Sequence, residues 1–523
     1  MEVALTPLEL VRRCRTLYPN REAVVDGQDR WTYAQFLDRC DRWSAALQRL
    51  GMRKGDRVAY IAPNTHAQLE SFYAVPQIGG VLVPINFRLT PDDFAYILNH
   101  SGARVVCVYS DHVEAVERLW PQLTTVEQFV ALEGDAPGWL RYEELLAAEG
   151  GTFEAPTIEE RDLLTINYTS GTTSRPKGVM ITHRNAYINV VGTLLHFPMN
   201  AEDRYLWTLP MFHANGWTFT WVVTAVGAAH VCLRKVDPRL AFELMRTERV
   251  TTLCAAPTVL IALANAPEDV RGAAPRGIRL LTAGAPPAAA TIQRIEGTFG
   301  WKLTQVYGLT ETAPFITVCE PRPEHAALSD DERSVIKARQ GVELLTSGEL
   351  RVVDDEGRDV PADGQTLGEI VVRGNVVMDG YYNDLQATAH AMRGGYFHSG
   401  DAAVMHPDRY VEIRDRFKDI IISGGENISS VEVEGALLRH PSVSEAAVVG
   451  VPDERWGEAP RAFVVLRHGT SATEDELREF LRGAIAHFKV PQSFVFVTEL
   501  PKTATGKIQK YVLRGRKSAI ATQ

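Results

Sequence analysis

Short apolar runs alternate with amphipathic segments along most of the chain. The runs at 57–62, 81–84 and 104–108 are rich in valine and other apolar residues and predict buried strands. Between them, 66–77 and 91–99 show the spacing of helices, so this region predicts strands that alternate with helices. That order is typical of α/β proteins, in which helices pack on the faces of a sheet.

The same alternation returns after residue 160. A strand is predicted at 163–168, and a helix is predicted to begin near His183. One face of this helix is predicted to be buried, because apolar residues recur at intervals of three and four; they are Tyr187, Val190, Val191, Leu194 and Leu195. The apolar segment 217–229 is too short to span a bilayer and is interpreted as part of the core.

The character of the sequence changes near residue 341. Short strands that end in Gly, Asp or Pro predict a small all-β subdomain over about 341–411. After residue 418 the pattern predicts a compact α+β domain with strands at 446–451, 462–466 and 493–497 and a helix at 473–487. We therefore predict an α/β fold with a large N-terminal domain, 1–417, and a small C-terminal domain, 418–523.

Composition narrows the possible classes of protein. The 523 residues are 45% hydrophobic and 23% charged, which excludes a wholly disordered, collagen-like or coiled-coil chain. The formal net charge of -10 argues against a general nucleic-acid-binding protein. The six cysteines lack the spacing of metal ligands. A disulfide framework is not expected in so long a chain with so few cysteines, so a reducing compartment is expected. Since no targeting signal is visible, we expect a cytoplasmic protein without an integral membrane segment.

The segment 168–178, Tyr-Thr-Ser-Gly-Thr-Thr-Ser-Arg-Pro-Lys-Gly, carries the most specific chemical signal. It follows a predicted strand and precedes a predicted helix. Its hydroxyl and backbone N–H groups can surround an oxyanion, and Lys177 adds positive charge. It is not a Walker A loop, because Pro176 precedes the lysine and Gly178 follows it. The alternative interpretation is a surface loop rich in glycine and hydroxyl side chains.

This loop resembles the signature of the adenylate-forming enzymes, which include acyl-CoA synthetases, luciferases and peptide-synthetase adenylation domains. Similar motifs recur in the family's order at 307–311, 396–401, 415–419, 422–427 and 501–507. Ser174 departs from the commonest loop, which has glycine there, although several plant-type members have serine. The segments 210–217 and 330–341 are similar to plant-type acyl-activating enzymes, methylmercaptopropionate-CoA ligases and bacterial medium- to long-chain acyl-CoA synthetases.

The resemblance implies that a carboxylate attacks the α-phosphorus of ATP and that the resulting acyl-adenylate passes to a thiol. Both first reactants are anionic, so catalysis needs charge neutralisation and positioning. The resemblance implies catalytic roles for Lys507, Thr172 and Glu311, and magnesium ligation by Glu311 and Thr172. The implied nucleotide site comprises Thr169, Ser170, Gly171, Thr172, Thr173, Lys177, Gly284, Ala285, Pro286, Gln305, Tyr307, Gly308, Thr310, Glu311, Asp401, Arg416 and Lys507.

Several of these residues have a chemical reason for their implied roles. Tyr307 offers a flat π-face for adenine, and Asp401 can accept both ribose hydroxyls. Arg416 is implied as a second contact on the ribose side, and Lys507 as a bridge between the substrate carboxylate and the α-phosphate. The alternatives are, respectively, a core tyrosine, a turn aspartate, a surface arginine and part of a solvated basic tail.

The thiol step implies a second arrangement of the domains. In the family the small domain is mobile and rotates about a hinge residue, here Lys418. The rotation withdraws Lys507 and brings Gly424 and Gly425 to a pantetheine tunnel, where glycine allows a thin arm to pass close to the backbone. Trp456 packs along that arm or is an ordinary surface or core tryptophan.

His213 and Trp217 are expected at the acyl pocket, although a core histidine and a core tryptophan are the alternatives. We predict an ATP-dependent carboxylate–CoA ligase that uses ATP, Mg²⁺ and coenzyme A. Its substrate is expected to be a short- to medium-chain or substituted aliphatic acid, and the resemblance implies a homodimer. The alternatives are loading of a carrier protein, a long-chain or aryl acid–CoA ligase, a luciferase-like oxygenase and an inactive homologue.

Overall fold

A nine-stranded sheet forms one half of the large domain in the computed structural model, which describes residues 2–148, 150–169, 175–272, 274–424, 426–503 and 507–515. Its inner strands are parallel, and antiparallel strands flank them. In spatial order the strands are Val342–Glu343, Phe315–Val318, Lys302–Gly308, Arg279–Thr282, Thr252–Ala255, Arg204–Leu206, Ala229–Val231, Glu22–Asp26 and Asp29–Thr32.

An eight-stranded sheet forms the other half. Its strands, in spatial order, are Gly380–Tyr381, Lys177–Thr182, Leu163–Thr169, Val81–Ile85, Arg57–Ile61, Ala103–Val108, Gln128–Ala131 and Leu140–Arg141. The largest hydrophobic cluster takes Val24 and Tyr205 from the first sheet and Tyr60 and Leu82 from the second. The main core therefore lies between the two sheets, and the predicted α/β class is confirmed.

Two smaller sheets follow in the chain. The first has four antiparallel strands, Glu349–Val353, Gly368–Arg373, Phe397–Met405 and Val411–Arg416. The expectation of an all-β subdomain was wrong in one respect, because the helix Leu385–Ala391 interrupts these strands. The second sheet, in the C-terminal domain, contains Glu426–Ile428, Ile421–Ser423, Gly457–Leu466, Val443–Asp453 and Ser493–Phe496.

Helices cover the sheets, and many begin at a threonine, serine or aspartate. Thr32, Thr90 and Thr182 each form a reciprocal capping box with the residue three positions later. Within the described ranges, no helix is both long and apolar enough to cross a membrane. The helices are Pro7–Leu17, Tyr33–Arg49, His66–Gln77, Pro91–Ser101, Val113–Glu117, Tyr142–Ala147, His183–His196, Ala214–Trp217, Phe219–Ala225, Pro238–Thr247, Pro257–Ala264, Glu268–Arg271, Ala289–Phe299, Asp330–Lys337, Leu385–Ala391, Ser430–Leu437, Glu474–Arg482 and Lys510–Arg514.

The predicted buried face of the helix His183–His196 is only partly confirmed, because Val190 is buried but most of the predicted residues keep some exposed surface. Leu195 is 57% exposed, whereas Asn185 and Asn189 are buried. Both asparagine side chains donate hydrogen bonds to backbone carbonyls of neighbouring loops, at Asn375, Val377 and Phe315 among others. Buried carbonyls need donors, so asparagines are buried on a face of the helix to which periodicity had assigned no apolar residues.

The helix predicted at 473–487 is shorter in the structure. It begins after the N-cap Thr473 and ends at Arg482, before Gly483. A separate 3₁₀ turn, His487–Lys489, follows. In contrast, the apolar segment 217–229 is buried as predicted, because every residue of the helix Phe219–Ala225 lies in the core.

All the cysteines of the chain are free thiols inside the protein. Burial raises the pKa of each one above its ordinary value, so they are neutral at physiological pH. They are Cys14, Cys40, Cys107, Cys232, Cys254 and Cys319.

Candidate active site

Part of the implied nucleotide site lies at the carboxyl ends of two neighbouring parallel strands. Arg279–Thr282 and Lys302–Gly308 pair in parallel, with Thr282 opposite Gln305. Carboxyl ends of parallel strands meet at the same edge, so the exposed turn at Gly284 lies beside Tyr307. Ala285 and Pro286 continue this turn and retain exposed surface. Gln305 itself is buried within the sheet.

Asp401 is the centre of a buried hydrogen-bonded group. The Tyr307 hydroxyl donates to Asp401 Oδ2 at 2.6 Å, and Arg416 Nε lies 2.8 Å from Asp401 Oδ1. Asp401 and Arg416 are opposite each other on adjacent antiparallel strands, which explains their proximity. The structure thus brings together three residues that lie far apart in the sequence. Tyr307 is 8% exposed, and its hydroxyl contact with Asp401 was not anticipated from the sequence.

Glu311 lies just beyond the same sheet edge, in the 3₁₀ turn Thr310–Thr312. Gly308 precedes this turn and has no room for a side chain, because a Cβ there would collide with the Pro314 backbone. Glu311 Oε1 accepts a hydrogen bond from the Tyr381 hydroxyl at 2.9 Å, and the Met378 N–H donates to the Glu311 carbonyl. Glu311 is therefore fixed through both its backbone and its carboxylate.

Tyr381 is a site residue that was not predicted from the sequence. This residue lies on the edge strand of the eight-stranded sheet, whereas Glu311 follows a strand of the nine-stranded sheet. Lys177 Nζ lies 4.9 Å from the centroid of the Tyr381 ring. Tyr381 therefore contacts two of the predicted site residues, Lys177 and Glu311. The available signal was the pair Tyr381–Tyr382, but only the strand pairing shows which tyrosine faces Glu311.

The predicted strand–loop–helix arrangement of the phosphate loop is wrong. The strand Leu163–Thr169 is followed by a second, antiparallel strand, Lys177–Thr182, and only then by the helix. Lys177 therefore begins a strand, and the loop connects two strands of a hairpin instead of opening a helix. Thr169 ends the first strand and is partly exposed. Ser170, Gly171, Thr172 and Thr173 lie outside the described residues.

Lys507 extends from the small domain into the same region. The Thr503 N–H donates to the Lys507 carbonyl at 2.7 Å. Burial lowers the pKa of Lys507 to about 8, and the positive charge of Arg416 contributes. The residue keeps solvent-accessible surface, yet the surrounding protein atoms desolvate its ammonium group. Asp401 is among the opposing negative charges, so Lys507 lies near the Asp401–Arg416 pair.

His213 links this region to the expected acyl pocket. Burial, together with the positive charge of Lys507, lowers the pKa of His213 to about 4. The imidazole is therefore neutral at physiological pH. Because the charge of Lys507, in the small domain, lowers the pKa of His213, in the large domain, both residues belong to the same region of the protein.

Trp217 belongs to an unusual left-handed turn. The residues Ala214–Thr218 have φ values between 36° and 66°, and only one of them is glycine. Side chains resist this backbone conformation, so the surrounding packing must impose it. Trp217 is 3% exposed, its ring centroid lies 5.9 Å from that of Phe315, and its ring lies 3.9 Å from the Cβ position of Gly284.

The expected hinge is held by the C-terminal helix. Lys418 is exposed, and its carbonyl accepts a hydrogen bond from Arg514 at 3.2 Å. Arg514 also forms an ion pair with Asp419 at 2.6 Å. On the other side of the hinge, Asp415 Oδ2 accepts a hydrogen bond from the Ser430 N–H at 2.8 Å.

Two of the residues expected at a coenzyme A tunnel contact each other. The Gly424 N–H donates to the Trp456 carbonyl at 2.9 Å, and a Cβ on Gly424 would lie 2.7 Å from the Trp456 ring. Gly424 has φ +59°, so both its conformation and this contact require glycine. Trp456 is 39% exposed, and Gly425 lies outside the described residues.

Comparisons with known proteins agree with this geometry. Residues 11–382 match the family model of the AMP-binding enzymes, and residues 432–507 match the model of the AMP-binding enzyme C-terminal domain. The chain belongs to the AMP-binding enzyme family. The predicted membership of the adenylate-forming superfamily is thus confirmed.

Relatives of this AMP-binding enzyme include several CoA ligases. It is 43% identical to 4-hydroxybutyrate–CoA ligase 2 of Metallosphaera sedula, over 99% of this chain and 96% of that protein. It is 41% identical to a peroxisomal acetate/butyrate–CoA ligase of Arabidopsis thaliana, over 98% and 94%. The solved anthranilate CoA ligase in complex with anthranoyl-AMP superposes with a TM-score of 0.89 at 25% identity, over 98% of this chain and 97% of that one.

Proposed function

We propose that this AMP-binding enzyme is an ATP-dependent CoA ligase for a short- to medium-chain or substituted aliphatic carboxylic acid. The observation that carries the proposal is the buried group of Tyr307, Asp401 and Arg416 in the large domain. The pKa of Lys507, from the small domain, responds to the charges of Asp401 and Arg416, and the pKa of His213 responds to Lys507, which supports a common site for these residues. This arrangement offers a ribose acceptor, positive charge and a neutral imidazole in one place. Those groups suit the formation of an acyl-adenylate from two anionic reactants.

In the proposed first step, Asp401 accepts hydrogen bonds from the ribose hydroxyls. Tyr307 and Arg416 hold its carboxylate in place before the nucleotide arrives. Gly284, Ala285 and Pro286 form the wall of the adenine slot, opposite Tyr307. Lys177 contributes positive charge toward the β- and γ-phosphates. The hydroxyl-rich segment that precedes it is proposed to donate hydrogen bonds to the same phosphates.

Lys507 neutralises charge on the substrate carboxylate and the α-phosphate while the oxygen–phosphorus bond forms. The carboxylate oxygen attacks the α-phosphorus, and pyrophosphate leaves. His213 is uncharged at neutral pH and within reach of the charge of Lys507, and it is proposed to orient the carboxylate by a hydrogen bond. The enzyme therefore acts mainly by positioning and by charge, since no covalent enzyme intermediate is required.

Glu311 fits a magnesium ion that accompanies ATP. Among the described residues, only the Tyr381 hydroxyl donates to its carboxylate, at Oε1, which leaves Oε2 for a metal. A single carboxylate with substrate phosphates and water is a usual environment for Mg²⁺, which would neutralise phosphate charge when bound. Thr172 is proposed as a further oxygen ligand.

The proposed acid is small because Trp217 occupies the wall of the expected pocket. Trp217 lies beside Gly284 and Phe315, and its left-handed turn holds it there. Relatives support a small aliphatic acid, since their names specify 4-hydroxybutyrate, acetate or butyrate, and 2-methylpropanoate for a Humulus lupulus ligase that is 41% identical. A panel of acids assayed by pyrophosphate release would identify the preferred substrate.

In the proposed second step, the small domain rotates about Lys418 and the thiol of coenzyme A attacks the acyl-adenylate. A thioester forms and AMP leaves. Gly424, Gly425 and Trp456 are proposed to line the path of the pantetheine arm. Formation of free acyl-CoA without any carrier protein would distinguish this function from carrier loading.

The decisive experiment separates the two half-reactions. Lys507→Ala should lose acyl-adenylate formation by orders of magnitude, yet it should transfer a supplied acyl-adenylate to coenzyme A at close to the wild-type rate. Equal loss of both half-reactions in a folded variant would contradict the proposed role of Lys507.

We also propose that the enzyme is a homodimer and that it is located in the cytoplasm. Light scattering of the purified protein tests the first proposal, and cell fractionation tests the second.

A further inference from the structure

We propose that Tyr381 is a positioning residue that holds Glu311 in the orientation needed for magnesium-bound ATP. This inference rests on the proposed function, because it assumes that Glu311 is the metal-side carboxylate. Tyr381 does not itself touch the reacting atoms. It acts through two residues that the site does use, Glu311 and Lys177.

The backbone of Tyr381 is fixed from two directions. Gly380–Tyr381 pairs with the strand Lys177–Thr182, with Tyr381 opposite Val179. The Tyr381 N–H also donates to Thr388 Oγ1 at 2.9 Å. Residues two apart in a strand share a face, so Tyr381 lies on the face that carries Lys177.

The side chain of Tyr381 makes two separate contacts. Its hydroxyl donates to Glu311 Oε1 at 2.9 Å, and its ring lies beneath Lys177 Nζ at 4.9 Å. Glu311 follows a strand of the nine-stranded sheet, whereas Lys177 begins a strand of the eight-stranded sheet. Tyr381 therefore joins the metal side and the phosphate side of the cleft, and the hydroxyl contact can be removed while the ring contact is kept.

A carboxylate on a short turn has several rotamers, and a metal ligand must adopt one of them. The hydroxyl occupies Oε1 and thereby selects the rotamer, while Oε2 remains for the metal. Hydrogen bonds to charged groups are stronger than those between neutral groups. Loss of the hydroxyl should therefore weaken binding of magnesium-bound ATP while metal-free ATP is affected little.

The test measures the affinity of the full-length enzyme for ATP by calorimetry, with Mg²⁺ and with EDTA. Tyr381→Phe keeps the ring and should weaken binding of Mg-ATP by about tenfold, with little change in EDTA. Tyr381→Leu also removes the ring beneath Lys177, so ATP in EDTA should bind roughly two- to fivefold more weakly as well. Tyr382→Phe is the matched control, because Tyr382 packs on the other side, against His100.

A double-mutant cycle tests whether the hydroxyl acts through Glu311. Tyr381→Phe in a Glu311→Gln background should add little to the effect of Glu311→Gln alone, because the two residues form one unit. Transfer of a supplied acyl-adenylate to coenzyme A should keep the wild-type rate in Tyr381→Phe. Wild-type Mg-ATP affinity in folded Tyr381→Phe, or effects that multiply in the cycle, would overturn the inference.

The proposed function and this inference fail in different ways. If Glu311→Gln binds Mg-ATP as the wild type does, the metal role of Glu311 is wrong and the inference falls with it. If Glu311→Gln loses the magnesium dependence but Tyr381→Phe keeps it, the inference alone is wrong.

Discussion

The pKa of Lys507 predicts a pH dependence that is specific to the adenylation step. Burial among protein atoms, with Arg416 nearby, lowers this pKa to about 8, so the ammonium is largely protonated at pH 7 and largely neutral at pH 9. One pH unit on either side of the pKa changes the protonated fraction from about nine tenths to about one tenth. If only the charged form assists adenylation, kcat/KM for the acid should fall about tenfold between these two pH values.

The assay measures acyl-adenylate formation from ATP and a subsaturating concentration of acid, and the release of pyrophosphate is the readout. Under this condition the pH profile reports groups of the enzyme before the acid binds. The matched variant is Lys507→Arg, because a guanidinium stays charged throughout this range. It should be slower at pH 7 but lose the alkaline decline, and transfer of a supplied acyl-adenylate should lack the decline in both proteins.

Two results would refute this reasoning. A wild-type profile that stays flat from pH 7 to pH 9 would mean that Lys507 is not the titrating group or is not needed in its charged form. An unchanged decline in Lys507→Arg would assign the titration to another residue.

Four further predictions follow from separate features. Asp401→Asn removes the charged acceptor beside Arg416 and should raise the KM for ATP at least about tenfold, and an unchanged KM would exclude the ribose role. Trp217→Ala should shift the preference measured over an acid series toward longer or bulkier acids, whereas an unchanged profile would make this residue purely structural. Lys418→Pro should form the acyl-adenylate but not the thioester, since proline fixes φ, and full thioester activity would exclude a pivot there. Burial lowers the pKa of His66, but hydrogen bonds to Asp26 and a neighbouring glutamate outweigh it and raise the pKa to about 9. The protonated His66 therefore stabilises the fold by roughly 3 kcal/mol at most below about pH 6.5, and this stabilisation is lost as the pH rises through 9. The free energies of unfolding of His66→Gln and the wild type, measured by denaturation, should converge above that pH.

The strands and the order of the elements could be predicted because burial on both faces leaves continuous apolar runs. The runs at 57–62 and 104–108 correspond to the strands Arg57–Ile61 and Ala103–Val108. The strand Lys177–Thr182 was missed, because its first residues looked like part of a glycine- and serine-rich loop. Its pairing partner, Leu163–Thr169, provides hydrogen bonds that no local pattern reveals.

The site was predictable as a set of residues but not as a set of contacts. Tyr307, Asp401 and Arg416 were each identified from short motifs, yet their mutual hydrogen bonds depend on a cross-strand register and on the packing of two sheets. Tyr381 was missed for the same reason, because its partner Glu311 lies in a turn that follows a strand of another sheet. The buried face of the helix His183–His196 was predicted only in part, since Val190 is buried but the asparagines are buried as well, and they donate to carbonyls that only the folded chain brings near.

The complete burial of the native cysteines makes this enzyme suitable for labelling with thiol-directed dyes. Neutral, inaccessible thiols react slowly, so cysteines introduced on the surface should be modified first. Arg118 and Asp475 have exposed side chains on the large and the small domain. A double variant, Arg118→Cys with Asp475→Cys, would carry a fluorescent pair without prior removal of native thiols. Energy transfer within that pair would then record the domain distance of single molecules as acid, ATP and coenzyme A are added in turn.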